Sequence, residues 1–131
     1  HENDVYNRWW SETHHGVEEV VSDSGTVSFE YDIDKNSELA GNLKGHLLLT
    51  TGTIDNNVHP ANTYRMAQAL IQAGKRFDLF VFPGQQHGYG SMRDYWFWLR
   101  AEYFVEHLLG DDRWNADIVP LQKERPEDER P

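Results

Sequence analysis

No cysteine occurs in the 131-residue chain. That excludes disulfides and thiol catalysis and leaves the compartment open. Basic residues are scarce: 12 Lys and Arg stand against 22 Asp and Glu, a formal net charge of −10. Such a surface repels phosphate backbones and anionic lipid, so nucleic-acid and membrane-surface binding are disfavoured. No stretch approaches the roughly 20 apolar residues of a membrane-spanning helix. Metal-ligand spacing is missing too. The histidines (His1, His14, His15, His46, His59, His87 and His107) form no His-Glu-x-x-His or comparable set, so neither a metal site nor a cofactor is expected. The first residue is His1, with no initiator Met or signal peptide, and a processed or excised piece is the expectation.

What is present suffices for a core. The chain is 38% hydrophobic and 13% aromatic, a composition that suits one domain or one piece of a larger one. "GHLLLTTG" (45–52) reads as a strand near 46–51, buried on both faces. "HPANTYRMAQALIQAGK" (59–75) reads as a helix, with Pro60 in its first turn, Gly74 just past its end and Lys75 near its negative terminus. Met66, Ala67, Leu70 and Ala73 form its apolar stripe. "RFDLFVFPG" (76–84) is a second strand near 77–82, stopped by Pro83–Gly84. A long helix then spans 91–109, opened by Ser91 and closed by Gly110. Met92, Tyr95, Trp96, Leu99 and Tyr103 lie on one side of it, with Phe97, Ala101, Phe104 and Leu108 on another, so broad burial is expected. Strand, helix, strand, helix with tight connections is a βαβα unit on a parallel sheet. The first 44 residues are less legible; "NSELAGNLKG" (36–45) suggests one short helix. From Asp111 charge and proline accumulate, and 111–131 reads as a partly disordered segment after a domain covering 1–110. No internal repeat is visible.

Two loops carry the chemistry. Asp55 in "GTIDNNVHP" follows the first strand, and His87 in "GQQHGYG" follows the second. Parallel neighbouring strands bring such loops to the same end of the sheet, where functional groups collect. An Asp accepting from one imidazole nitrogen fixes the tautomer and favours the imidazolium formed at the other. Gly88 and Gly90 free the loop around the histidine. The pattern by itself leaves a plainer reading open, because Asp after a strand often caps a helix or closes a turn.

The stretch "LLLTTGTIDNNVHPANTYRMAQALIQAGKRFDLFVFPGQQHGYG" closely resembles the C-terminal end of the prolyl oligopeptidase family (S9) of serine peptidases, especially its dipeptidyl-peptidase-IV-like branch. The resemblance is close over 45–109 and loose over 1–44. It implies the C-terminal βαβα portion of an α/β-hydrolase fold. It also assigns roles: the Gly-Thr-x-Asp-x-Asn-Val-His motif puts the triad Asp at Asp55, and the His-Gly pair puts the catalytic His at His87. By the same resemblance Asn57 helps hold a substrate carbonyl, and Val58 lines the pocket for the residue before the cut bond. "VYNRWW" resembles the family's segment that places an aromatic wall on that pocket, which would be Tyr6. Packing is an equal alternative for Tyr6, Trp9 and Trp10.

Departures matter. Thr51–Gly52 stands where the family usually has His-Gly, and no Gly-x-Ser-x-Gly occurs. Ser11, Ser22, Ser24, Ser28, Ser37 and Ser91 offer no glycine-flanked elbow. The expectation is therefore a peptidase fragment holding base and orienter, whose nucleophile and propeller lie in a missing N-terminal part and whose substrate is a peptide. An esterase or acyl-aminoacyl hydrolase, or a non-catalytic βαβα interaction domain, remains an alternative. An open strand edge and the aromatic helix lead to the expectation of a homodimer. The resemblance is compatible with a periplasmic or secreted location without fixing one.

Overall fold

A computed structural model describes residues 17–30 and 34–111. Tyr6, Trp9, Trp10 and the segment from 112 onward lie outside the described residues. The described chain contains a hairpin of β1 (Glu18–Val21) and β2 (Val27–Glu30), then β3 (Leu48–Gly52), α1 (Ala61–Gln72), β4 (Asp78–Phe82) and α2 (Arg93–Phe104). Strands β3 and β4 are parallel neighbours, in register from Leu48 opposite Asp78 to Gly52 opposite Phe82. Helix α1 is the crossover between them. The expected βαβα unit is thus present, and both strands end at the same level.

Sequence accounts for most boundaries. Pro60 stands at the N-cap of α1, where its missing N–H costs no helix bond. Its neighbour His59 accepts the Ala61 N–H on Nδ1 at 3.2 Å, so this histidine serves the helix start. Gly74, at φ 67°, turns the chain out of α1, and the Lys75 N–H closes back on the Leu70 carbonyl at 2.9 Å, the bonding of a glycine-terminated helix. Ala67 and Leu70 are buried as expected. The stripe, however, includes buried Asn62, while Ala73 falls at the exposed helix end. The segment 36–45 yields turns and a 3-10 helix, Ala40–Asn42, that packs on α1 through buried Ala40.

Phe82 is the centre of the larger core cluster. It is fully buried, with its ring stacked on Tyr89 (centroids 4.2 Å apart) and met edge-on by Tyr95 and Trp96 of α2 at 6.2 and 6.1 Å. Phe80, two residues back on the same strand face, meets Tyr95 at 5.4 Å. These contacts dock α2 on β4.

Four expectations are corrected. Strand β3 is not buried on both faces: Leu48, Leu49 and Thr50 are half-buried, with α1 packed against the strand and β4 at one edge. Ser91 does not cap the long helix. A 3-10 turn, Gly90–Met92, precedes α2, because left-handed Tyr89 starts it and accepts the Met92 N–H at 2.7 Å. Nor is the helix one regular element: α2 continues through a π turn, Val105–Leu109, to Gly110 at φ 67°. Burial along it is also not broad. Met92, Trp96, Leu99 and Tyr103 are half-buried, whereas Phe97, Phe104 and Leu108 are 51%, 52% and 75% exposed. Two strands cover one flank of this helix and leave the other bare.

The hairpin was not legible beforehand. Its strands are short and mix Val and Phe with Glu, and every residue of both is exposed. Gly25, at φ 78°, and the Gly25 N–H donated to the Ser22 carbonyl at 2.8 Å shape its turn.

Candidate active site

The site forms where the loops after β3 and β4 meet. They are laced together by backbone bonds. The Thr53 N–H donates to the Phe82 carbonyl (3.1 Å), and the Ile54 N–H donates to the Gln85 carbonyl (3.2 Å). The Gly84 N–H donates to Thr53 Oγ1 at 2.7 Å. Gly52 makes this approach feasible. A Cβ there would lie 2.8 Å from the Gln85 carbonyl carbon and 2.9 Å from Gln86 O, both main-chain atoms. No side chain fits. The glycine therefore sets how closely the His87 loop lies against the end of β3.

Asp55 sits in the turn this creates, its N–H donating to Gly52 O at 3.3 Å. One carboxylate oxygen, Oδ1, accepts the N–H groups of Asn57 and Val58, each at 2.9 Å. The other, Oδ2, lies 2.9 Å from His87 Nδ1. Both carboxylate oxygens are thereby engaged. The Asp55 side chain is 6% exposed and that of His87 is 56% exposed, so a buried anion backs an open imidazole. Burial alone would raise the Asp55 carboxyl. The hydrogen bonds from His87, Val58 and Asn57, with the charge of His87, outweigh it and hold the carboxyl below its ordinary 3.8. An ionised carboxylate only accepts, so Nδ1 carries the proton and Nε2 of the neutral ring is left with its lone pair. Among the described residues the His87 ring bonds only to Asp55. Nε2 is thus available to take a proton from a group presented to it.

The expected strand geometry and the meeting of Asp55 with His87 are therefore both seen. Asn57 and Val58 enter through their main-chain N–H groups, with the Asn57 side chain exposed and Val58 half-buried. Tyr6 lies outside the described residues. No described serine bonds to His87. No group of three His, Cys, Asp or Glu suited to a metal is found among the described residues, nor does any described helix have the length and apolarity to cross a membrane. Sequence reading passed over Thr53 and Tyr89, although a bulky Tyr inside "HGYG" was an available signal.

An Asp–His pair held on adjacent loops at the carboxyl ends of parallel strands has the geometry of an imidazole oriented by a carboxylate. The sequence profile of the prolyl oligopeptidase family matches residues 2–111, and the chain belongs to that family. Its relatives lie in the dipeptidyl-peptidase-IV-like branch. Dipeptidyl peptidase 8 of mouse and of human are each 35% identical over 63 residues, which is 48% of this chain and 6% of theirs. The crystal structure of Porphyromonas gingivalis dipeptidyl peptidase 4 superposes with a TM-score of 0.55 at 30% identity, covering 59% of this chain and 11% of that one. The chain thus matches only a small part of the length of these relatives.

Two outcomes are expected. Gly52→Ala should push the 84–87 backbone away and break the Asp55–His87 bond. The check is loss of the downfield His87 Nδ1 proton signal in NMR spectra of a still-folded protein; retention of that signal would contradict the steric account. A carboxyl whose folded value lies below its unfolded one stabilises the fold above the unfolded value, and that contribution is lost as pH falls through the folded value. The stability difference between wild type and Asp55→Asn, from urea unfolding, should therefore be full above about pH 4 and shrink at lower pH. A difference constant down to pH 3 or so would contradict it.

Proposed function

We propose that this chain supplies the general base and its orienting carboxylate to a serine-type peptidase of the dipeptidyl-peptidase or prolyl-oligopeptidase kind. The observation that carries the reading is the 2.9 Å bond between buried Asp55 and exposed His87. In the reaction, His87 Nε2 takes the proton of a serine hydroxyl as that oxygen attacks the peptide carbonyl, and later gives it to the leaving amine. Asp55 holds the ring in the tautomer this needs and stabilises the imidazolium. The serine, the oxyanion donors and the propeller come from parts of the protein outside these 131 residues. Asn57 holds a substrate carbonyl and Val58 lines the pocket beside the cut bond. Tyr6 forms its aromatic wall. Residues 1–110 form part of the catalytic domain, with 111–131 a separate segment following it. The substrate is a peptide, and the naming of the relatives as dipeptidyl peptidases favours this over an esterase.

The isolated chain should hydrolyse no peptide or ester above background, since base and orienter alone provide no nucleophile. In the intact parent, His87→Ala should lower kcat by roughly 10⁴-fold or more. Robust hydrolysis by the clean 131-residue chain, or a His87→Ala parent with near-normal turnover, would overturn the reading.

The bare flank of α2, with Phe97, Phe104 and Leu108 exposed, together with the open side of β3, is the basis for a homodimer. Exposed apolar surface of this kind finds cover, and a net charge of −10 is screened within about 8–10 Å at ordinary salt. Sedimentation at micromolar concentration should show a dimer that Leu108→Asp disrupts. A strict wild-type monomer would remove this assembly.

A further inference from the structure

The loop that carries His87 is held in a conformation that one of its residues resists. Gly88, Tyr89 and Gly90 have consecutive positive φ values of 81°, 64° and 37°. Glycine takes such angles freely, but a side chain with a Cβ does not. Tyr89 is the one non-glycine residue with positive φ among those described. Something must hold it there. Its hydroxyl shares a 2.7 Å hydrogen bond with Thr50 Oγ1, in the middle of β3. Its ring stacks on buried Phe82 at 4.2 Å and 21° and stands edge-on to Trp96 at 5.5 Å. Its N–H donates to the Gln86 carbonyl at 3.1 Å, which closes a tight turn around His87.

These contacts have one consequence for the site. The His87 ring is more than half exposed and has Asp55 as its sole hydrogen-bond partner among the described residues. With one hydrogen bond and more than half its surface open, the ring depends for its position on the backbone that carries it. That backbone is tied by Tyr89 to Thr50, and the strand carrying Thr50 runs directly into the Asp55 turn. We propose that Tyr89, anchored by the Thr50 hydroxyl, is a positioning residue that sets His87 Nδ1 against Asp55. The role rests on the reading of Asp55 and His87 as orienter and base. Tyr89 touches no reacting atom in this assignment and acts only through the loop.

The test uses two variants that delete one hydroxyl each and keep the surrounding shape, Tyr89→Phe and Thr50→Val. In the 131-residue chain the readout is the downfield Nδ1 proton signal of His87. Wild type should show it. Each variant should broaden it by faster exchange with water, and the double variant should do no worse than either single, because one shared bond is lost in all three. In the parent enzyme Tyr89→Phe should lower kcat by about ten- to a hundredfold, with KM within about twofold. A wild-type chain without the signal would sink the Asp–His reading itself. A sharp, unchanged signal in both variants would overturn the Tyr89 proposal and leave that reading standing. Loss in Tyr89→Phe but not in Thr50→Val would also overturn it, since the anchor would then lie elsewhere.

Discussion

The parallel pairing of β3 with β4, in a register that ends with Gly52 opposite Phe82, is the constraint on which the site depends. Parallel strands must finish at the same end of the sheet, so the turns that follow them emerge side by side. A helical crossover of the length of α1 is what such a pair requires. The glycine at the last paired position then lets one turn lie on the other. Slide β4 by one residue against β3, and β4 would present its opposite face, with Phe82 leaving the aromatic cluster that α2 packs against.

From that constraint the electrostatics of the site follow. Lacing the two turns together buries Asp55, and a buried carboxylate must be compensated. Two main-chain N–H groups and one imidazole do so. The compensation also has a chemical result. With Nδ1 committed to the carboxylate, basicity is directed to Nε2 of a largely exposed ring. Holding the loop in this shape places Tyr89 in the left-handed region, where its Thr50 bond and Phe82 stack offset the backbone preference. Order at the site and strain beside it come from the same few contacts.

Much of this was legible because it is local. The apolar runs around Leu48–Thr50 and Leu79–Phe82, bounded by glycine and proline, mark strands of the right length. Pro60 and Gly74 bracket the helix between them. Asp55 and His87 stand out through the Gly-Thr-x-Asp-x-Asn-Val-His stretch and the His-Gly pair, since an Asp after a strand also fits an ordinary turn. What escaped was non-local. That Gly52 faces the main chain of Gln85 and Gln86, or that Tyr89 reaches Thr50, depends on contacts across more than thirty residues. The burial of β3 was overestimated because an apolar strand reads alike whether one neighbour or two cover it. Ser91 looked like a cap by residue type, yet the left-handed Tyr89 starts the helix earlier. The β1–β2 hairpin escaped because its alternation is short and its apolar face is uncovered.

The central claim is that His87 exchanges a proton with a serine supplied from outside these 131 residues. The most direct measurement is a structure of the intact parent protein whose nucleophile has been trapped with a phosphonate. The expected result is a serine adduct whose Oγ lies about 3 Å from His87 Nε2, with Nδ1 still on Asp55. An adduct whose Oγ lies far from His87, or one backed by a different histidine, would contradict it.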